Sequence, residues 1–264
     1  MLKNIELEEG LIRHTALNSI RAYKKKFTPK YGEMVICSDS KSYWRKDIFA
    51  YYKAKRKKNR EESGLDWHVI FSSIDTIKEE LRSYFPYKVI EIDGCEADDV
   101  IATLARKYSE REPVLILSSD KDFQQLQRFH NIDQYSTVQK KFLVPDDPRL
   151  FLKEHIMRGD AGDGVPNFLS SDDTLVLNKR QKSISNKKID EWMFQAPEDF
   201  CLTEGMLRGY KRNQLLIDLD NTPMELQNRT IEEYENAVPA RGQLMKYFMD
   251  KKLRNLAEAY RDFL

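Results

Sequence analysis

Cysteine is scarce: Cys37, Cys95 and Cys201 are odd in number, scattered, and form no Cys-x-x-Cys pair. They argue against structural zinc and suit a reducing compartment, so the cell interior is the expected location. Long apolar runs are missing too, and no stretch is long enough to span a bilayer. The opening Met-Leu-Lys-Asn-Ile-Glu-Leu-Glu-Glu-Gly lacks a signal-peptide pattern. The four histidines (14, 68, 130, 155) show no His-Glu-x-x-His spacing and are expected to be structural or surface residues. No Gly-Lys-Ser/Thr phosphate loop exists, which leaves ATP use unsupported, and no Ser or Cys sits in a nucleophile-elbow setting. There is no internal repeat.

What the chain does have is three short apolar runs, each ending in carboxylates. Met34–Cys37 leads to Asp39, Val89–Ile92 to Asp93 and then Glu96-Ala97-Asp98-Asp99, and Val114–Leu117 to Asp120 and Asp122. β-Branched runs of this length, separated by helical stretches, read as buried parallel strands. In open parallel sheets the functional crevice lies outside the carboxyl ends of the strands. Acids at three such ends would converge, and several carboxylates stay ionised together only beside cations, which points to divalent metal.

The remaining pattern supports an α/β alternation. Helices are expected over 4–26 (Ile5, Leu11, Ile12, Leu17, Ile20), 66–84 (Trp67, Ile70, Ile74, Ile77, Leu81) and 97–109 (Val100, Ile101, Leu104, Ala105), with a further helix starting at Asp122-Phe123. Pro29–Gly32 reads as a turn, 43–60 as a mostly exposed helix broken at 61–64, and 132–144 as an edge strand or two. Pro145-Asp146-Asp147-Pro148 is the best domain boundary. Beyond it the chain reads as helical, with a polar, basic and flexible loop at 178–188. With 264 residues there is room for one large domain or two smaller ones.

A formal net charge of +1 hides strong segregation. Lys41–Arg60 holds nine Lys or Arg and one acid, Asp47, whereas Glu91–Asp99 holds five acids and no base. A basic stretch beside an acidic metal cluster is what cleavage of a polyanion needs. In the basic stretch, Tyr43 and Trp44 alternate with Arg45, Lys46, Lys53, Lys55, Arg56, Lys57 and Lys58. A solvated charged helix is the plain reading of such a run. Phosphate neutralisation, with rings that stack on unpaired bases, fits the aromatics better. Asp99 alone is equally well explained as compensation of a helix dipole, and one acid of Ser118–Phe123 as an N-cap. Arg158–Asn167, rich in Gly and Asp, lacks the ligand alternation of a calcium loop and gains meaning only beside the other acids.

Taken together and in order, Ser42–Lys53, Glu96-Ala97-Asp98-Asp99, Ser118–Phe123 and Gly159–Asn167 resemble the flap endonuclease and 5′-exonuclease family. The resemblance implies a PIN-like α/β catalytic domain (1–147, basic arch about 41–64) and a helical DNA-binding domain (148–264) with a helix–loop–helix element. It further implies a monomer that cleaves DNA and RNA–DNA hybrids at 5′ ends and flaps, removing primers during lagging-strand replication. A replication single-strand-binding protein is the implied partner, and no membrane is involved. Two Mg²⁺ ions, replaceable by Mn²⁺, would be held by Asp39, Glu96, Asp98 and Asp120 at the first position. Asp122, Asp160 and Asp163 would hold the second, partly through water. Arg45 and Lys53 would grip the scissile phosphate, and the turn containing Gly162, Gly164 and Val165 would bind duplex backbone.

In one respect the chain departs from the family pattern. Members begin with a central strand ending in a metal-ligand Asp, whereas this sequence starts almost directly in the following helix. A truncated reading frame, a split protein or a degraded paralogue would each account for this, and each leads to an expectation of impaired metal binding. A catalytically weak branched-DNA-binding protein is therefore the alternative. A PIN-type ribonuclease acting on single-stranded RNA ranks below it, because it does not account for 159–167.

Overall fold

The computed structural model describes residues 9–264. In chain order the elements begin α1 (Glu9–Tyr31), β1 (Val35–Cys37), α2 (Arg45–Ile48), α3 (Arg56–Glu62), α4 (Trp67–Tyr84), β2 (Lys88–Ile90), α5 (Ala97–Ser109) and β3 (Val114–Leu117). A 3₁₀ helix (Lys121–Arg128), β4 (Ile132–Ser136) and β5 (Lys141–Leu143) follow. The rest is helical: α6 (Pro148–Arg158), α7 (Asn186–Trp192), α8 (Pro197–Phe200), α9 (Glu204–Ile217), α10 (Met224–Asn236), α11 (Leu244–Asp250) and α12 (Arg254–Glu258). No helix among the described residues is long and apolar enough to cross a membrane.

The chain divides into two compact units. One takes residues up to 38, 58–91 and 231–264. Here β1 pairs in parallel with β2, Ile36 opposite Val89. Its core joins Leu17, Ile77, Leu81, Phe85 and Val89 to Leu244, Tyr247, Phe248 and Phe263. Inside it, the Glu80 carboxylate accepts from Arg13 Nε (2.8 Å) and the Tyr247 hydroxyl (2.7 Å), which joins α1, α4 and α11 by charge as well as by packing. Asp66 starts α4, its Oδ1 accepting from the backbone N–H of His68 and Val69, both at 3.1 Å.

The second unit takes residues 39–57 and 92–230 and carries the acids. Its sheet runs β3–β4–β5, with β3 and β4 parallel and β5 antiparallel. Helix α5 packs its Ala102 and Ala105 against Ile116 of β3 and against Phe123 and Leu126 of the 3₁₀ helix. A second core gathers Phe49 and Tyr52 with Leu152, Met157, Val165, Phe168, Phe200, Tyr210 and Leu216.

Several expectations need correction. The start of the first helix, with Ile5, lies outside the described residues. Its other end runs through Pro29 to Tyr31: the fixed φ of proline suits a helix, and the donor it lacks and the crowding it brings fall near the helix end; Gly32, at φ +74°, then ends it. Segment 43–60 is not one exposed helix: it holds two short ones, and Trp44, Arg45, Phe49 and Tyr52 are buried. Ile74 is exposed, and Ser73 and Glu80 take buried places on α4 instead. The first strand of 132–144 is interior to its sheet, not at the edge. Strands β1 and β3 are half-buried for most of their length, not fully covered.

Candidate active site

Helix α5 begins where the acids meet. Asp98 stands half-buried in its first turn. Burial, followed by the charges of Asp120, Glu96 and Asp39, pushes its carboxyl group up to about 7. Asp39 Oδ1 accepts from the backbone N–H of Ala97 (2.8 Å), so an acid from another segment lies on the positive end of this helix. Asp120 follows β3 and caps the 3₁₀ helix through Asp122 N (3.0 Å). Asp39, Glu96, Asp98 and Asp120 are thus brought together.

Asp122 and Asp160 form a neighbouring group with a residue the sequence reading set aside. His155, buried on α6, places Nε2 3.1 Å from Asp160 Oδ2 and Nδ1 3.4 Å from Asp122 Oδ1. The ligand atoms of the three lie within 4.8 Å of one another. Burial, together with the charges of Asp120 and Asp160, pushes the Asp122 carboxyl up to about 6 against the opposing effect of His155. Asp160 goes the other way: burial opposes ionisation, but His155 and Lys121 hold its carboxyl well below the usual range. Of the four histidines, expected to be structural or on the surface, His155 is the one buried among these acids. No sequence spacing could have revealed His155, because its partners come from the 3₁₀ helix and a turn.

The basic stretch is less open than expected. Arg45 is 2 % exposed and its donors are spent inside the protein. Nη1 and Nη2 bind Asp99 Oδ2 and Oδ1, both at 2.8 Å; Nη1 also reaches Glu96 Oε2 (3.0 Å), and Nε donates to Leu216 O (2.8 Å). A guanidinium so occupied does not grip a substrate phosphate. Trp44 is also buried, with its ring under the Arg45 guanidinium and its Nε1 on Asp99 Oδ2 (3.3 Å), which removes it as a stacking platform. Asp99, which has no exposed surface, is the counter-charge of Arg45 and accepts from Glu96 N (3.0 Å) and the Thr222 hydroxyl (2.8 Å).

Lys53 reaches the acids. Its Nζ binds Glu96 Oε1 and lies 3.5 Å from Asp163 Oδ2. Burial disfavours its charge, but Asp163 and Glu96 outweigh burial and raise its pKa. Tyr52, which the sequence reading did not single out, lies 2.8 Å from both Glu96 Oε2 and Asp163 Oδ2. A phenol has one proton to give, so one carboxylate always faces the hydroxyl's lone pairs, and the Lys53 ammonium compensates. Asp163 also pairs with Arg56 (2.7 Å). Tyr43 is half-buried against Tyr52, Lys55 contacts Asn178, and Lys46, Arg56, Lys57 and Lys58 are exposed.

Residues 159–165 make a tight turn in which Val165 N donates to Asp160 O (2.7 Å). Asp160 Oδ1 accepts from Gly162 N (2.8 Å) and Asp163 N (3.1 Å). Val165 is 1 % exposed, so its side chain is core and not a DNA contact. Gly162 is exposed, whereas Gly164 lies against the backbone of Tyr51. Gly159 has φ +71° and ψ −175°, a region reserved for glycine, and an added Cβ would meet Val165 O at 2.5 Å. Gly159→Ala is therefore expected to cost roughly 2–4 kcal/mol in urea unfolding; a loss below 0.5 kcal/mol, to order of magnitude the spread of harmless surface changes, would contradict this.

The donor set suits a divalent ion: hard carboxylate oxygens, one imidazole, and two buried atoms, Asp122 Oδ1 and His155 Nδ1, that have no hydrogen-bond partner. Glu96 is bound by Arg45, Tyr52 and Lys53.

Comparison with known proteins accords with this geometry. Residues 9–150 match the model of the 5′-3′ exonuclease N-terminal resolvase-like domain, and 147–263 that of the T4 RNase H C-terminal domain. The chain is 35 % identical to ribonuclease H of Enterobacteria phage T4, over 96 % of this chain and 87 % of that protein. It is 30 % identical to a 5′-3′ exonuclease of Aquifex aeolicus, over 74 % and 68 %. In fold it resembles the T5 5′-exonuclease with divalent zinc ions bound, with a TM-score of 0.66 at 18 % identity, covering 85 % of this chain and 91 % of that one. A T5 flap endonuclease complex with DNA and metal ions gives a TM-score of 0.61 at 17 % identity, over 85 % and 90 %. Sequence and fold agree that this chain belongs to the 5′-3′ exonuclease family of phosphodiester-hydrolysing nucleases, which includes the flap endonucleases and the phage T4 ribonuclease H.

Proposed function

We propose that the chain is a Mg²⁺-dependent, structure-specific 5′-nuclease that removes RNA primers and adjacent DNA from 5′ ends and flaps during phage lagging-strand replication. The observation that carries this reading is the convergence of Asp39, Glu96 and Asp120 on Asp98, a charge concentration that protein cations offset only in part. Asp39, Glu96, Asp98 and Asp120 would hold one ion, and Asp122, Asp160 and Asp163 a second, partly through water. Held there, the ions would lower the pKa of bound water and offset charge on the leaving oxygen. Mn²⁺ is expected to substitute for Mg²⁺.

The chain's own residues set the stage for that chemistry. Lys53 neutralises Glu96 and Asp163 and is the buried cation placed to meet a phosphate at the acids. Tyr52 fixes Glu96 relative to Asp163, and Arg45 holds the start of α5 rigid from behind. Lys46, Arg56, Lys57 and Lys58 are exposed for contact with the backbone of the single strand. We place the working boundary at Asp147; after it, the helices and the turn at 159–167 would bind duplex and lend Asp160 and Asp163 to the second ion. The enzyme would act as a monomer in the cytoplasm of the infected host, beside the phage single-strand-binding protein.

The test is cleavage of a labelled 5′-flap and of an RNA–DNA hybrid, with Mg²⁺ or with chelator, by the parent chain and by Asp120→Asn. Mg²⁺-dependent cutting that Asp120→Asn loses while flap binding persists is the expected result. A parent chain that binds flaps and cuts neither substrate would instead be a branched-DNA-binding protein.

A further inference from the structure

The buried His155 has one nitrogen unaccounted for. Its Nε2 contacts Asp160 Oδ2, an atom that Lys121 Nζ also reaches at 2.9 Å. The other oxygen of Asp160 accepts from Gly162 N and Asp163 N. An ionised carboxylate only accepts, so the Nε2 N–H points at Asp160, and Nδ1 is the nitrogen left to face Asp122. Nδ1 is buried without a hydrogen-bond partner, and so is Asp122 Oδ1, which stands 3.4 Å from it without the alignment of a hydrogen bond. A buried ring nitrogen and a buried carboxylate oxygen that face each other without a hydrogen bond are costly to keep from water, and a cation held between them would satisfy both. Two ligands about 2.1–2.2 Å from one ion stand roughly 3.0–3.5 Å apart as the angle between them opens from octahedral to tetrahedral, a range that includes this separation.

We propose that His155 Nδ1 and Asp122 Oδ1 are joint ligands of a divalent ion, and that Asp160 acts through His155 by holding the ring in the tautomer that frees Nδ1. A carboxylate that takes the second N–H of a metal-bound imidazole is a common supporting arrangement. This inference rests on the nuclease reading for the presence of an ion, and it replaces an all-oxygen second position with one that contains nitrogen. Carboxylate and water donors suit Mg²⁺, whereas an imidazole shifts preference along the series towards Mn²⁺, Co²⁺ and Zn²⁺. Mn²⁺ is therefore expected to bind this position more tightly than Mg²⁺ does.

The experiment is pulsed EPR of the full chain at saturating Mn²⁺, with and without ¹⁵N-histidine labelling. A directly bound ¹⁴N coupling that changes to ¹⁵N on labelling is expected; it needs no variant and so does not depend on any variant folding. In His155→Leu the coupling disappears and Mn²⁺ affinity falls roughly 10–100-fold, while Mg²⁺ affinity changes much less; His14→Leu retains both. Bound Mn²⁺ without nitrogen coupling, or no Mn²⁺ binding at all, overturns the proposal. Flap cleavage with Mg²⁺, assayed on the same samples, keeps the two readings apart. Cleavage without nitrogen coupling rejects the histidine ligand alone, and coupling without cleavage rejects the nuclease reading alone.

Discussion

Replacing Asp98 by asparagine is expected to slow 5′-flap cleavage by roughly 10²–10³-fold, the scale lost when one preorganised charge-stabilising group is removed. The same substitution is expected to stabilise the metal-free protein. The Asp98 carboxyl is pushed up to about 7 by burial and by Asp120, Glu96 and Asp39. Between an ordinary Asp value near 4 and that raised value, the folded chain keeps a proton that the unfolded chain has released. Stability therefore falls as pH rises through this window, and the loss is complete above it. Asparagine carries no such proton. In chelator, the melting temperature of Asp98→Asn should match the parent near pH 4 and exceed it increasingly up to pH 7. The gap at pH 8 should be on the order of 1–2 kcal/mol, the half-buried carboxylate being partly screened. A parent that melts at the same temperature as the variant at pH 8 would show that the four acids do not crowd one another.

The largest stability effect is expected at Arg45. Arg45→Met keeps the length of the side chain but leaves Asp99 and Glu96 buried without their guanidinium, at an expected cost of about 3–5 kcal/mol. Arg45→Lys should recover only part of this, since an ammonium cannot bond both Asp99 oxygens as the fork does. Adding Asp99→Asn to Arg45→Met should restore stability relative to the single variant, because the stranded charge is then gone. Guanidinium unfolding midpoints measure all four proteins. A residue that gripped substrate from the surface would behave differently: the midpoint would hold and KM on the flap would rise.

What could be read from the sequence was what local chemistry decides. The acids after Val114–Leu117 and at the start of 97–109 were legible because a strand end and a helix start are both defined within a few residues, and both elements appear where their periodicity places them. The family pattern was legible for the same reason, as short motifs in a set order. Arg45 and Trp44 were misread because a run of bases and rings looks alike whether it faces solvent or a buried carboxylate; only Asp99, 54 residues beyond Arg45, makes the difference. Val165 looked like part of an exposed Gly-rich turn until packing beside Phe168 and Met157 placed it in the core. His155 was illegible by spacing, since its partners are 33 residues before it and 5 after.

The burial of Arg45 and Lys53 also limits how the protein meets a polyanion at a distance. Of the nine bases between Lys41 and Arg60, these two are already neutralised by internal carboxylates, leaving at most seven to displace ions condensed on a nucleic acid. Each displaced counterion steepens the fall of log K with log salt by about 0.7 on a single strand and 0.9 on a duplex. The share of salt dependence from this segment is thus capped near 5 or 6 in those units, below what its formal charge suggests. The cations nearest the chemistry add little to the long-range pull on the substrate.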